Sequence, residues 1–175
     1  MKNDVVEIRE LSAADNAWAR QALELEWESA IAVSRMRIHH LDRLPGLIAY
    51  RSGRRAGLLT YIMENQELQV VSLQSLVRRV GVGKALLGAA RDLAQARGCK
   101  RLWLATTNEN AAAISLYGHC GMALVATHRG SVRGARQLKP QIPECGPDGT
   151  PIEDELEFEM RFGDAGAQPP AGGGA

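Results

Sequence analysis

No stretch of this 175-residue chain is apolar for more than a few residues, far short of the roughly 20 that a bilayer-spanning helix needs. Its opening residues, MKNDVVEIRE, hold no apolar run of the kind a secretory signal requires. The expected compartment is therefore the cytoplasm, with no membrane partner. Cysteine is scarce as well. Cys99, Cys120 and Cys145 are odd in number and widely spaced, which argues against a disulfide framework and against a zinc knuckle. The four histidines, His39, His40, His119 and His128, have no carboxylate or thiol at ligand spacing, so no metal is expected. A net charge of +1 removes the simplest case for a nucleic-acid partner.

What is present is an ordinary globular composition, long enough for one core but hardly for two. Residues 1–162 read as a single domain and 163–175 as a flexible tail of Gly, Ala and Pro. No internal repeat is visible. Charge is segregated along the chain. Arg78, Arg79, Lys84, Arg91, Arg97, Lys100 and Arg101 face a single acid, Asp92, whereas Glu153, Asp154, Glu155, Glu157 and Glu159 run without a base. The first region suits an anionic ligand and the second a cationic one, with two solvated faces as the plainer alternative.

Strand and helix patterns alternate in an α/β order. Val5 to Ile8 reads as a strand, and Ser12 with Asp15 as a capping box before a helix that fades near Glu28. Residues 29–45 lack a clear period and read as a loop holding a short helix. Three consecutive strands follow, at Leu47–Tyr50, Leu58–Met63 and Leu68–Val77, the first two joined by a Ser52-Gly53 turn. A helix at Lys84–Arg97 closed by Gly98 comes next, then a strand at Leu102–Ala105, a helix at Asn110–His119 and a strand at Met122–Thr127. Pro140, Pro143, Pro147 and Pro151 crowd the segment 129–151, which reads as a long irregular loop of the functional sort. Leu156, Phe158 and Met160 alternate with acids in a last, half-buried strand.

The strongest local signal is Arg78-Arg79-Val80-Gly81-Val82-Gly83-Lys84, between a strand and a helix. Glycines let backbone approach a ligand, and a helix start leaves N–H groups and a partial positive charge facing outward. The spacing is neither a Walker loop nor a dinucleotide fingerprint. Some thirty residues on stand Asn110, Ala113, Leu116, Tyr117 and Gly121. The Arg-x-x-Gly-x-Gly turn, its helix, the strand Leu102-Trp103-Leu104 and Asn110-x-x-Ala113-x-x-Leu116-Tyr117-x-x-x-Gly121, in this order, resemble the GNAT superfamily of N-acetyltransferases.

That resemblance implies a mixed, mostly antiparallel sheet of about seven strands with about four helices. It also implies acetyl-CoA as co-substrate, and a transfer in which the amine attacks the thioester directly. Backbone at Leu76, Val77, Arg78, Arg79, Val80, Gly81, Val82, Gly83 and Lys84 is expected to hold coenzyme A, with a strand bulge near Leu76 whose N–H takes the thioester carbonyl. Asn110 and Ala113 are expected on the pantetheine side, and Tyr117 as the acid that protonates the departing thiolate. Val80 stands where relatives often carry a polar residue, but the amide is the binding group there. Where many relatives place a basic glutamate on the central strand, this strand offers Gln69 and Gln74, and glutamine cannot take a proton. Glu64 and Glu67 at the preceding turn, His39 or His40, or a water chain remain as bases.

By the same resemblance the acceptor cleft draws on Trp18, Glu24, Trp27, Glu28, Arg35, His39, Glu153, Asp154 and Glu155. Carboxylates beside flat aromatics suit a small, polar, cationic amine. An aminoglycoside-type antibiotic leads the expected acceptors, ahead of a polyamine, an amino acid or a protein amine. A non-catalytic domain that binds coenzyme A is the non-enzymatic alternative. A monomer or homodimer is expected.

Overall fold

The computed structural model describes residues 5–163; the expected tail, Gly163 apart, lies outside them. Its elements run β1 (Val6–Glu10), α1 (Asn16–Trp27), β2 (Ile31–Ser34), β3 (Arg37–His40), β4 (Gly46–Arg51), β5 (Arg54–Glu64) and β6 (Glu67–Ser75). They continue with α2 (Val82–Ala96), β7 (Arg101–Thr107), α3 (Ala111–His119), β8 (Ala123–His128), α4 (Ser131–Leu138) and β9 (Glu155–Arg161). Seven strands form one sheet in the order β1-β4-β5-β6-β7-β9-β8, and β2 pairs with β3 as a separate hairpin. Only the β6–β7 pair is parallel. Among the described residues this is the mixed, mostly antiparallel sheet with four helices that the family resemblance implies.

Both faces of the sheet are covered. On one, α2 buries Val82, Leu86, Leu87, Ala90 and Ala94, spaced as a helical stripe, against Leu59, Leu68, Val70, Leu102 and Leu104. On the other, Ala19 and Leu23 of α1, Ala32 of β2 and Leu41 pack on Ile48 and Leu58. Truncating a fully buried leucine such as Leu86 to alanine costs about 2–5 kcal/mol, so these two layers carry most of the stability.

Three expectations change. Residues 29–45 form not a helix-bearing loop but the β2–β3 hairpin and a single 3-10 turn at Leu41–Arg43. The hairpin turn places Arg35 and Met36 at φ 49° and 59°, a conformation that asparagine and glycine normally announce. Segment 129–151 begins with α4, which buries Val132 and Ala135 before the first proline is reached. The third strand ends at Ser75, leaving Leu76 and Val77 outside it and exposed.

β6 carries the detail that matters most. Its register with β5 slips between Thr60↔Ser72 and Tyr61↔Val70, so Val71 is an extra, bulged residue. Before the bulge Leu68 and Val70 face α2; after it Leu73 does, while Val71 itself packs on the α1 side. The parallel ladder with β7 stops at Val70↔Leu104. Beyond that pair β6 stays with β5 and β7 with β9, so a gap opens between the two central strands.

Candidate active site

Two features flank the gap on the α2 side. The first is the turn after β6. Arg79 and Gly81 have φ of 60° and 80° while Val80 between them does not, an alternation of the kind that turns successive amides into one concavity. Ala85 is the first to close a helical bond, onto the Gly81 carbonyl at 2.9 Å. The amides of Val82, Gly83 and Lys84 therefore have no acceptor within the helix and lie at its positive end. A Cβ on Gly81 would meet no atom within 4 Å, so open room stands beside those amides, and Arg78, Arg79 and Lys84 are exposed or half-buried around it. Such a cradle fits a pyrophosphate. Gly83 has a different duty: a Cβ there would come within 2.9 Å of Leu116 Cδ2, so its hydrogen lets α3 pack close to α2.

The second feature is α3. Asn110 caps it, its side-chain oxygen accepting from the Ala113 amide at 3.2 Å. Both residues thus have a structural part, one that explains this spacing without a ligand. Tyr117 is buried, its ring 5.5 Å from that of Phe158. Burial, reinforced by Cys120, pushes its phenol up to about 12. It stays protonated at neutral pH and so keeps a proton to donate. Its hydroxyl meets no hydrogen-bond partner among the described residues.

The expected thioester amide moves. Leu76 N–H donates to the Ala56 carbonyl at 2.8 Å, so it is already occupied, and the bulge lies five residues earlier, at Val71. Amides alternate sides along an antiparallel pair. With Leu76 bonded to the β5 edge, the amides of Leu73 and Ser75 point the other way, into the gap. Glu64 and Glu67 are displaced as bases for a similar reason. They sit at the opposite end of β6, where Glu64 pairs with Arg37 at 3.4 Å and Glu67 with Arg101 at 3.6 Å. Six residues of strand, about 20 Å, separate Glu67 from Leu73.

On the other face the β2–β3 hairpin is tied to two strands of the sheet. Gln69 Nε2 of β6 donates to Ser34 Oγ at 3.1 Å, and the Arg35 amide donates to Glu155 of β9 at 3.2 Å. Ser34 Oγ and His39 Nε2 are 3.2 Å apart, and His39 is only 4% exposed. Burial first, then the Arg37 guanidinium, lowers the His39 pKa, against weaker opposite effects of the Ser34 backbone and Glu64. At neutral pH the imidazole is uncharged. Lys139, unmarked in the sequence, donates to the carbonyls of Trp27 at 3.0 Å and Ile31 at 2.7 Å, clipping the end of α4 to the hairpin. Trp27 Nε1 and both amide atoms of Gln74 are buried with no protein partner.

The remaining expected acceptor residues divide. Trp18 lies under Arg55, 4.9 Å away, and Glu24 pairs with Arg20 at 2.9 Å, whereas Glu28, the left-handed end of α1, reaches the hairpin only through its charge on Lys139. The acidic run is not one solvent-facing mouth. Asp154 accepts from the Gly130 amide at 2.8 Å, Glu155 is 5% exposed, and only Glu153 is open to water. Asn108, to which the sequence assigns no role, aligns that stretch by accepting from the amides of Glu153 and Asp154 at 2.9 and 3.0 Å. Beside it, Arg129, Arg133, Arg136, Glu144, Glu153 and Asp154 line a cleft of about 850 Å³. Among the described residues no group of His, Cys, Asp and Glu could hold a metal, and no helix is long and apolar enough to cross a membrane.

Residues 6–122 match the acetyltransferase (GNAT) family. The chain is 37% identical over 122 residues to the uncharacterised protein YdhI of Bacillus subtilis (strain 168), spanning 69% of this chain and 76% of that protein. A shorter match, 37% identical over 67 residues, is to the streptothricin acetyltransferase of Streptomyces lavendulae, covering 37% of this chain and 35% of the other. Among solved structures, an acetyltransferase of Bacillus subtilis in complex with CoA superposes with a TM-score of 0.63 at 16% identity, over 90% of this chain and 97% of that one.

Proposed function

We propose, from the premise that this chain belongs to the acetyltransferase (GNAT) family, that its acceptor is the primary amine of a small, polar, cationic molecule. The enzyme is an acetyl-CoA-dependent N-acetyltransferase. The single observation that carries the acceptor assignment is Glu155. Its carboxylate is buried under the hairpin, accepts only a backbone amide, and has no cationic partner among the described residues. A buried carboxylate of this kind is costly unless a positive group joins it, and an ammonium of the acceptor supplies one. The hairpin's ties to both β6 and β9, on either side of the gap, favour a small molecule over a long peptide. An aminoglycoside-type antibiotic is the first candidate, and the partial match to a streptothricin acetyltransferase supports an antibiotic. A polyamine or amino acid would use the same carboxylate.

In the mechanism, the amides from Val82 to Lys84 hold the pyrophosphate and those of Leu73 and Ser75 orient the thioester carbonyl in the gap. Acetyl-CoA would supply the activated acetyl group when bound, with the coenzyme A thiol as leaving group. Tyr117 donates its phenolic proton toward the sulfur. An oriented amide pair of this type is worth a few kcal/mol to the transition state, whereas proton donation from a phenol near 12 to a thiolate of ordinary pKa near 8.5 is uphill and only assists. The test is acetyl-CoA turnover across aminoglycosides, streptothricin, polyamines and amino acids, read as free thiol. A kcat/KM for a polycationic antibiotic at least 100-fold above that for single amino acids is expected. Equal, slow turnover of every amine overturns the assignment.

A further inference from the structure

We infer that the proton leaving the acceptor amine passes through the Ser34 hydroxyl to His39, so that the β2–β3 hairpin, not strand β6, supplies the general base. This rests on the acetyl-transfer function above. Three observations carry it. Gln69 stands in the next-to-last pair of the parallel ladder, Gln69↔Trp103, one residue before the gap begins. It is buried and cannot accept a proton, but its Nε2 donates to Ser34 Oγ at 3.1 Å. Ser34 Oγ lies 3.2 Å from His39 Nε2, and in the relay it donates its own hydrogen there. The imidazole then carries its proton on Nδ1 and presents Nε2 as an acceptor. Gln69 thus holds Ser34 in place for a two-member relay instead of taking part in it.

The surroundings keep that relay ready. His39 is 4% exposed, and burial together with Arg37 on its own strand holds it neutral. Glu64 at the end of β5 pulls the other way but is spent on Arg37. Glu67 and Arg101 pair with each other beyond Gln69, and Arg35 leans toward Glu157 at 3.8 Å. None of these carboxylates touches His39. Glu64 and Glu67 flank the β5–β6 turn, away from the gap, and Glu155 holds an ammonium of the acceptor in the reading above, which leaves His39 of the hairpin to take the proton.

Atoms and protons balance in this step. The amine nitrogen forms a bond to the acetyl carbon and the carbon–sulfur bond breaks. One amine proton goes to Ser34 Oγ, directly or across one water, as the Ser34 proton goes to His39 Nε2. The sulfur takes the Tyr117 proton, after which His39 returns a proton to solvent and Tyr117 regains one. Ser34 touches the acceptor side, and His39 acts through it as a positioning residue.

The measurement is log kcat/KM against pH with the fastest amine of the panel. An alkylamine must lose its own proton, which alone gives a slope of 1 on the acid side. The relay adds a second proton, so the wild-type slope steepens to 2 below the His39 pKa. In His39→Gln the slope is expected to remain 1, with kcat/KM at neutral pH down roughly 100-fold and acetyl-CoA affinity by calorimetry within twofold. Ser34→Ala should fall in the same direction, and the double variant no further than His39→Gln. A His39→Gln enzyme that keeps the slope of 2, or loses less than threefold, overturns the relay while acetyl transfer stands. Absence of transfer to any amine by the wild type overturns both. Should His39→Gln fail to fold, nitrogen NMR of the wild type decides: a neutral ring protonated on Nδ1 at pH 7 supports the relay, and an imidazolium or an Nε2-protonated ring overturns it.

Discussion

The two sides of β6 are built by opposite means. On the α2 side, the proton donor Tyr117 apart, the site is backbone, drawn from the consecutive residues Leu73 to Lys84, and its conformation is set by Arg79, Gly81 and the start of one helix. On the hairpin side it is side chain, and its contacts join residues as far apart as Arg35 and Glu155, or Lys139 and Ile31. A ligand common to a whole family is held by groups that every sequence possesses. A ligand that differs from member to member is held by groups that single substitutions can change. The difference teaches where to look for specificity: beneath the hairpin, not in the turn.

The sharpest way to break this division is Tyr117→Phe. Turnover should fall roughly ten- to a thousandfold with acetyl-CoA affinity within twofold, because only a proton is removed. Since burial pushes the phenol up to about 12, wild-type kcat should show no alkaline limb from Tyr117 below about pH 11. Stability has the same sign. The native state favours the neutral phenol, so the stabilisation is complete below about pH 10 and is lost as pH climbs toward 12.

Next in size come the two glycines. Gly81→Val should weaken acetyl-CoA binding more than tenfold, since valine resists φ of 80° and fills the open space beside the amides. Gly83→Val meets Leu116, so it should lower thermal stability first, by about 1–3 kcal/mol, and binding as a consequence. Calorimetry beside a melting curve separates them, and equal melting losses in the two variants would erase the distinction drawn here.

Lys139→Met probes the other side. It leaves the Trp27 and Ile31 carbonyls without that donor, at a cost of about 1–3 kcal/mol. The acceptor KM should rise severalfold with acetyl-CoA affinity unchanged; a change in acetyl-CoA affinity instead would mean that the two sides are not independent. Smallest is Glu153→Gln, an exposed charge expected to move the acceptor KM less than about twofold. Neutralising Asp154 and Glu155 with it would confound the test, since they hold the start of α4 and the hairpin turn.

The same division governs how much of the molecule is legible in its sequence. The Ser52-Gly53 hairpin, the stripe of α2, and the turn from Arg78 to Lys84 are local patterns of a few residues, and they stand where their patterns place them. The bulge leaves a faint mark, the adjacent Val70 and Val71, which break the alternation that the rest of β6 keeps; a stricter count of period sets it there and not at Leu76. The β2–β3 hairpin is hidden because its left-handed turn is made by Arg35 and Met36. α4 is hidden by the prolines that come after it. The parts played by Asn108, Arg136 and Lys139 are not legible, because each one's main partners are backbone groups brought near only by the finished fold.

Bonding to backbone has a consequence at Arg136. Its guanidinium donates to the carbonyls of Ile142, Pro143 and Ile152 and so gathers the proline-bearing segment around one point. Apart from a loose pair with the exposed Glu144, it recognises no side chain in that segment. A carbonyl is the same whichever residue bears it. The side chains from Gln141 to Thr150 are therefore largely released from the duty of keeping the loop in shape, and mutation can explore them. In evolutionary terms the loop is a fixed frame with exchangeable contents, able to vary without the chain relearning how to fold.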